Sequence, residues 1–388
     1  MRDEAKQSSR RPDVMMLGLR SFGHGQGGVE AHVEQLAQEV DRAGYAVEVV
    51  VRKPYAGEQI VASGRDIRTI PLWSPKGKST EAIVHSIIGV LYAAWRRPRI
   101  LHMHAIGPSL TVPLARLLGL RVVFTHHGED FQREKWGWFA RKMLRLGERF
   151  GALFSNERIC VSSSLANDVS ARYGVSFKYI PNGVRSTKPV SSTTILDKLD
   201  LKPGGYILHV GRIVPEKRQI DLIHALEFLD VKDMKLVLVG AADHATDYSK
   251  IIDEEVSGNR NVIAAGFQTG LALEELYSHA GIFALPSSHE GLPIALLEAM
   301  AFGCRVVASD IEANLNVGLP HGCYFKLADV SGLAGAIRSG LPSDASQNRV
   351  DWSQSLSNYD WSEIAAKTIE AYGLAARSGF QSLEHIPA

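Results

Sequence analysis

Residues 14–51 read VMMLGLRSFGHGQGGVEAHVEQLAQEVDRAGYAVEVVV, and this stretch decides the fold class. It begins with the apolar run 14–19, passes through the glycine-rich turn 23–28, and ends with a second apolar run at 46–51. A strand, a glycine turn, a helix and a second strand form a βαβ unit, which is the seed of a parallel sheet. The helix is indicated by apolar residues at helical spacing, namely Val29, Val33, Leu36, Ala37 and Val40.

The same alternation continues along most of the chain. Because the later runs are apolar throughout, they are typical of strands that are buried on both faces. The fold class is therefore α/β, with two doubly wound Rossmann-like parallel-sheet domains that we expect to face each other across a cleft. The further strands are predicted at 100–104, 121–125, 158–161, 206–211, 235–240, 262–266, 281–287 and 305–309.

The Ser/Thr/Pro/Val stretch 187–194 has little hydrophobic character and separates the two series of strands. It is the best candidate for a connection between domains. We predict a disordered N-terminus at 1–12, a first domain at 13–185, a linker at 186–199, a second domain at 200–358, and a C-terminal helix at 359–376 that crosses back to the first domain.

The composition of the 388 residues, 45% hydrophobic and 22% charged, is that of a soluble globular protein. A net charge of +1 argues against nucleic acid as a partner. Three cysteines without CxxC spacing predict neither a disulfide framework nor a zinc site. The N-terminus lacks an apolar signal core, and the apolar-rich run 83–95 is shorter than the about 20 residues of a spanning helix. We therefore expect a cytoplasmic protein.

A basic motif, GRIVPEK at 211–217, directly follows a predicted strand. Open α/β sheets bind ligands at the carboxyl ends of their strands. The Arg212 guanidinium and the Lys217 ammonium at this place suit a diphosphate. Taken alone, the motif is equally compatible with solvated basic residues at the end of a strand.

An acidic motif, EGLPIALLE at 290–298, follows another predicted strand. Pro293 suits the first turn of a helix, which places Glu290 before the helix and Glu298 on its second turn. The backbone N–H groups of Gly291 and Leu292 would then lie at a helix N-terminus that favours an anion. Either glutamate alone is more simply a helix-end or surface residue. Together with the basic motif, the two glutamates indicate a site for a sugar nucleotide.

These motifs, with GGVE at 27–30, THHGED at 125–130 and PNGV at 181–184, resemble the family 4 glycosyltransferases of GT-B architecture. The resemblance runs in order from about residue 14 to residue 375. It implies a retaining hexosyltransferase that moves a sugar from a nucleoside-diphosphate sugar to a saccharide acceptor. Two positions depart from the family pattern, because Arg185 and Asn316 stand where acidic residues are usual.

The resemblance also implies a role for each matched position. Arg212 and Lys217 would neutralise the donor diphosphate, and Glu290 would bind hydroxyls of the transferred sugar. The other donor-side positions would be Gly27 and Gly28 at the phosphates, Gly291 and Leu292 near the sugar, Glu298 at the ribose and Phe267 near the base.

On the acceptor side the resemblance implies His126, His127 and Asp130. His127 would lie beside the anomeric region or the primary hydroxyl of the sugar. His126 is the second choice, because the sequence alone does not reveal which imidazole points inward. The implied catalytic set is therefore His127, Arg212, Lys217 and Glu290.

The mechanism favoured for the family is attack on the face of the sugar that the nucleotide leaves, with a donor phosphate oxygen taking the proton of the acceptor. The chain has no obvious pair of nucleophilic carboxylates and no DxD-like motif. We therefore predict no metal requirement and no cofactor other than the donor.

The segment 131–150, FQREKWGWFARKMLRLGERF, interleaves basic and large aromatic residues, and WRRPR at 95–99 is similar. Such patterns suit the headgroup layer of an anionic membrane. The stretches HMHAIGP at 102–108 and REKWG at 133–137 resemble bacterial enzymes that build exopolysaccharide, capsule or O-antigen of lipopolysaccharide on a polyprenyl carrier. The expected acceptor is then a polyprenyl-diphosphate-linked saccharide at the inner face of the plasma membrane. The same segments equally suit amphipathic helices that cover the first sheet.

Three other functions stay open on the sequence. The turn 23–28 approximates the GxGxxG of an NAD-dependent oxidoreductase, but the strand 46–51 runs on to Arg52 and Lys53 rather than to an acidic ribose-binding residue. A nucleotide-sugar epimerase would use the donor without an acceptor. The third alternative is a sugar-nucleotide-binding or polysaccharide-assembly subunit that has lost transfer activity. The presence of Arg212, Lys217, Glu290 and Glu298 argues against this loss.

Overall fold

The structure is a computed structural model that divides into two compact units. Unit 1 comprises Met1–Asn182 and Trp361–Ala388, and unit 2 comprises Gly183–Asp360. The described residues are 11–23, 28–56, 61–62, 65–75, 81–129, 131, 137–185, 187–229, 231, 233–242, 245–341 and 349–378.

Unit 1 contains a seven-stranded parallel sheet and a short antiparallel hairpin. The strands are β1 Val14–Leu17, β2 Val47–Arg52, β3 Val61–Ala62, β4 Arg65–Asp66, β5 Arg68–Leu72, β6 Ile100–His104, β7 Val122–His126, β8 Glu157–Cys160 and β9 Lys178–Tyr179. The order in the sheet is β5-β2-β1-β6-β7-β8-β9, and β3 pairs with β4.

Unit 2 contains a six-stranded parallel sheet. Its strands are β10 Tyr206–Val210, β11 Lys235–Val239, β12 Val262–Gly266, β13 Ile282–Leu285, β14 Val306–Ser309 and β15 Tyr324–Phe325. They lie in the order β12-β11-β10-β13-β14-β15.

Helices cover both sheets. Those of unit 1 and unit 2 in chain order are α1 Gly28–Arg42, α2 Glu81–Arg96, α3 Val112–Leu117, α4 Trp138–Phe154, α5 Ser163–Tyr173, α6 Thr194–Lys198, α7 Gln219–Glu227, α8 Asp247–Gly258, α9 Gly270–His279, α10 Ile294–Ala301, α11 Glu312–Leu315, α12 Val330–Gly340, α13 Ser353–Leu356 and α14 Trp361–Arg377. None of the described helices combines the length and the apolar character that a membrane-spanning helix requires.

The sheet of unit 1 is buried on both faces. Alternate residues of β1 point to opposite faces, so that Met16 belongs to one core cluster and Met15 to the other. The first cluster contains residues of α1 and α14, including Leu36 and Ile364. The second contains residues of α2, α3, α4 and α5. The chain after unit 2 therefore supplies one wall of the unit 1 core.

Each sheet has one strand at which the order of strands reverses. In unit 1, β1 lies between β2 and β6, and in unit 2, β10 lies between β11 and β13. Open α/β sheets bind ligands at such switch points, outside the carboxyl ends of the strands. The basic motif follows β10 and the acidic motif follows β13.

The predicted doubly wound α/β architecture is confirmed, with differences at the ends of elements. The strand predicted at 281–287 ends at Leu285, because Pro286 has no N–H with which to extend the ladder. The segment predicted as a linker contains α6, where Leu196 is buried and the Ile195 N–H donates to Glu275 Oε2 at 2.7 Å. This part of the segment is thus a packed element of unit 2, and residues 183–185 also belong to that unit. Of the N-terminus predicted to be disordered, residues 1–10 lie outside the described residues.

Candidate functional site

The loop after β10 begins where two backbones approach closely. The Gly211 N–H donates to the Val239 carbonyl at 2.9 Å. Gly240 has a φ of +135°, and a Cβ at this position would lie 2.0 Å from the Gly211 carbonyl oxygen. Only glycine fits at position 240. A side chain there would collide with the Gly211 backbone, and a positive φ would strain the backbone of any other residue. This contact sets the direction in which the chain leaves β10 toward Arg212.

Gln219, the buried first residue of α7, fixes the same loop through hydrogen bonds. Its Nε2 donates to the Arg212 carbonyl at 2.8 Å, and its Oε1 accepts from the Tyr248 hydroxyl at 3.0 Å. His209 Nδ1 donates to the Ala284 carbonyl at 3.0 Å, which leaves His209 Nε2 to accept from Gln219 at 3.4 Å. Burial lowers the pKa of His209 to about 4, so the imidazole is neutral at neutral pH.

Lys217 and Glu290 join the basic and acidic motifs directly. The Lys217 Nζ lies 2.6 Å from Glu290 Oε1, and the two side chains are only 18% and 10% exposed, so that water screens the pair weakly. Burial acts to raise the pKa of Glu290, but the Lys217 ammonium, with smaller effects of Ser287 and His289, holds that pKa below its ordinary value. The Ser288 N–H also donates to the Glu216 carbonyl at 2.9 Å. The two loops are therefore held together by both backbone and side chains.

Glu298 lies on the second turn of α10 in a different environment. Its Oε2 accepts from the Tyr277 hydroxyl at 3.0 Å. Burial raises the pKa of Glu298, and the opposing effects of Tyr277 and Arg185 do not cancel it. The two glutamates of the acidic motif thus have pKa values shifted in opposite directions, which is typical of carboxylates with different roles.

The other residues predicted on the donor side are distributed over both units. Arg212 and Gly291 are half-buried and Leu292 is buried. Phe267 directly follows β12 and is 41% exposed. In unit 1, Gly28 is the first residue of α1, whereas Gly27 lies outside the described residues.

On the acceptor side, His126 is enclosed in unit 1. It is the last residue of β7 and is fully buried. Its Nδ1 accepts from the Gly128 N–H at 3.2 Å, so its Nε2 donates to Glu148 Oε1 at 2.8 Å. Glu148 also accepts from Arg172 and from the Tyr173 hydroxyl. Both ring nitrogens of His126 are therefore engaged in holding the loop after β7.

His127 is the neighbouring imidazole that reaches the surface, because it is only half-buried. Its Nε2 lies 3.1 Å from His104 Nδ1. The ring of His32, on α1, has its centroid 4.8 Å from that of His127. Asp130, the third predicted acceptor-side residue, lies outside the described residues.

Sequence reasoning did not identify His32 and His104. The pattern HMH in β6 was a usable signal, because a strand points residues two apart to the same face. It was insufficient alone, since the approach of His32 depends on how α1 packs on the sheet. Burial lowers the pKa of His32 to about 4 and holds the pKa values of His104 and His127 well below the ordinary value.

Comparison with known protein families accounts for both units. Residues 26–188 match the family described as Glycosyltransferase Family 4. Residues 192–351 match the family described as Glycosyl transferases group 1. The two matches follow one another and together span most of the chain.

The individual relatives and solved structures described next have low sequence identity to this chain. A phosphatidyl-myo-inositol mannosyltransferase of Mycobacterium leprae is 28% identical over 378 residues, covering 91% of this chain and 94% of that protein. The O-antigen chain mannosyltransferase B of Escherichia coli is 26% identical over 212 residues, covering 53% of this chain and 54% of that protein. Anabaena HepE, solved in complex with UDP and glucose, has a TM-score of 0.76 at 18% identity and covers 93% of this chain and 99% of its own. This last similarity shows a shared fold.

Proposed function

Because this chain belongs to the glycosyltransferases of GT-B fold, we propose that it transfers a hexose from a nucleoside-diphosphate sugar to a saccharide with retention of anomeric configuration. The observation that carries the proposal is the 2.6 Å contact between Lys217 Nζ and Glu290 Oε1. It brings a cation suited to a diphosphate next to a carboxylate suited to sugar hydroxyls. HepE, a protein of the same fold, was solved with UDP and glucose, which supports a donor of this class.

In this proposal the pair Lys217–Glu290 is arranged before the donor binds. A lysine ammonium has three N–H donors, so Lys217 can keep its bond to Glu290 and still donate to a phosphate oxygen. Glu290 keeps acceptor capacity on its second oxygen for a sugar hydroxyl. Arg212 supplies the second cation from the same loop, whose backbone is held by Gln219. The leaving diphosphate is stabilised by fixed charges, and no metal is required.

Retention would follow from attack on the face that the nucleotide leaves. Glu290 is bound to Lys217 and Glu298 to Tyr277, which suits both carboxylates to orienting hydroxyls rather than to forming a covalent intermediate. A donor phosphate oxygen would take the proton of the acceptor. His127 would contact the sugar from unit 1.

The acceptor in this proposal is a lipid-linked saccharide of a bacterial surface polysaccharide, reached by peripheral contact with an anionic membrane. Trp138 and Phe139 at the start of α4 are 75% and 69% exposed. The Lys142 ammonium lies 5.4 Å from the Trp138 ring centroid. On α2, Leu91 and Trp95 are exposed one turn apart. Large exposed aromatics beside cations suit a headgroup layer, and the M. leprae relative is named for a lipid acceptor.

The proposal is tested by the turnover of Lys217→Ala and Arg212→Ala. Loss of a preorganised donor at developing charge costs roughly 10²–10³-fold in kcat, and we expect this range for each variant. Turnover is measured as acceptor-dependent release of nucleoside diphosphate, and the anomeric configuration of the product by NMR. Lys250→Ala, which removes an exposed lysine of α8, is the control. Near-normal turnover in both site variants, or an inverted product, would overturn the assigned roles.

A further inference from the structure

Three histidines of unit 1 form a cluster, and the proposed transfer reaction uses only one of them, His127. His32 comes from α1, His104 ends β6, and His127 follows β7. Each offers one ring nitrogen, and these nitrogens lie within 4.8 Å of one another. His32 and His104 are 3% and 0% exposed.

Two residues of the cluster each have a ring nitrogen without a partner. Within the part of the chain that the structure describes, no hydrogen bond reaches His32 Nδ1 or His104 Nε2. Buried polar atoms are normally paired, so an orphaned nitrogen on each of two clustered rings points to a ligand. The adjacent His102 differs, because its nitrogens contact the Tyr372 hydroxyl at 2.8 Å and the Thr125 hydroxyl at 2.7 Å.

The imidazole ring suits such a ligand, because a neutral imidazole offers one lone pair to a metal ion. His102 packs on His104, with 3.9 Å between the two ring centroids.

We propose that His32, His104 and His127 bind a divalent transition metal ion of the zinc type through three imidazole nitrogens. Zn–N bonds of about 2.0–2.1 Å place the nitrogens of a tetrahedral site about 3.4 Å apart. The nitrogens now lie within 4.8 Å of one another, so metal binding requires the widest separation to shorten by about 1.4 Å through rotation of the side chains. Imidazole suits zinc, copper, nickel and iron, whereas magnesium and calcium take oxygen ligands. Three protein ligands leave a fourth position open.

A metal ion at this site would affect sugar transfer. This consequence rests on the proposed function. His127 is the imidazole proposed to contact the sugar. An ion that takes its lone pair competes with that contact, so stoichiometric Zn²⁺ inhibits turnover while Mg²⁺ does not. The binding itself is measurable without any donor or acceptor.

The test is titration of the full chain, freed of metal with a chelator, with Co²⁺ and Zn²⁺. We expect one Co²⁺ per chain by calorimetry, with the visible absorption of tetrahedral Co²⁺, and its displacement by Zn²⁺. His32→Gln, His104→Gln and His127→Gln are each expected to weaken binding at least tenfold. His224→Gln removes an exposed imidazole of α7 and is expected to bind as the unmodified chain does.

The variants at the two buried positions are compared only after circular dichroism of the metal-free chains shows that they fold. His127 is half-buried in a loop, so its variant keeps the test available if the other two unfold. Absence of a saturable one-to-one Co²⁺ signal overturns the metal site, as does equal binding in His127→Gln. If the metal binds as expected but no sugar is transferred, the proposed function fails and the metal site stands.

Discussion

At the scale of single residues, Glu148 holds the loop that carries His127. Its carboxylate is 1% exposed and accepts hydrogen bonds at 2.7–2.9 Å from three side chains, His126, Arg172 and Tyr173. We expect Glu148→Ala to lower the free energy of unfolding by about 3–5 kcal/mol, because buried donors lose their acceptor. Chemical denaturation measures the change. The control Glu157→Ala removes a more exposed ion pair and should cost less than about 1 kcal/mol; equal losses would contradict the prediction.

The same carboxylate predicts a dependence of stability on pH. Burial acts to raise the pKa of Glu148, but His126, Tyr173 and Arg172 together lower it below the ordinary value of 4.5. A group whose pKa is lower in the folded than in the unfolded chain stabilises the fold above the unfolded pKa, and loses that effect as the pH falls through the folded pKa. The stability difference between the unmodified chain and Glu148→Gln should therefore shrink in acid. A difference that stays constant well below pH 4.5 would show that Glu148 does not act through its charge.

At the scale of elements, the junction of β10 and β11 depends on Gly240. Its φ of +135° and the 2.0 Å approach of a Cβ to the Gly211 carbonyl predict that Gly240→Ala destabilises unit 2 by about 3 kcal/mol or more. Gly335 of α12 has open space around it, so Gly335→Ala should be neutral or stabilising by about 0.5–1 kcal/mol. Urea unfolding of the two variants makes the comparison. Similar effects of the two substitutions would contradict this account.

The exposed start of α4 predicts membrane binding. Replacing Trp138 and Phe139 by alanine removes two large exposed side chains, each worth about 1.5–3 kcal/mol when buried. Flotation of the double variant with anionic vesicles at low salt should fall at least tenfold. Phe228→Ala, at an exposed position of unit 2, is the control. Failure of the unmodified chain to float would instead favour the view that α4 only covers the sheet.

How much the sequence predicts also depends on the element. Strands such as β10 and β11 are buried on both faces, and this leaves a continuous apolar run that local reading detects. The meeting of Lys217 and Glu290 follows from the rule that ligand loops gather at a switch point. The cluster of His32, His104 and His127 was not predictable in this way, because its members come from a helix, a strand and a loop that only tertiary packing brings together. The sequence did not reveal helix α6, because a helix of five residues between polar segments is too short to show the apolar periodicity of a helix.

At the scale of the whole molecule, a ligand that binds the folded chain raises its unfolding temperature. We expect one of UDP, GDP and dTDP to give a clear shift, corresponding to about 2.7 kcal/mol at a hundredfold excess over Kd. Thermal unfolding with each nucleotide and with NAD measures it, and Lys217→Ala should reduce the shift. A response to NAD alone would favour an oxidoreductase over sugar transfer.

The return of α14 to the unit 1 core has a consequence for synthesis on the ribosome. The strands of unit 1 emerge before unit 2, yet the apolar face that Trp361, Ile364 and Tyr372 cover stays exposed until α14 has been translated. Unit 2 is encoded entirely in between and can finish folding beforehand. During translation, unit 1 therefore stays incomplete while unit 2 is made. A chain that ends before residue 361 lacks the helix that covers this face of unit 1.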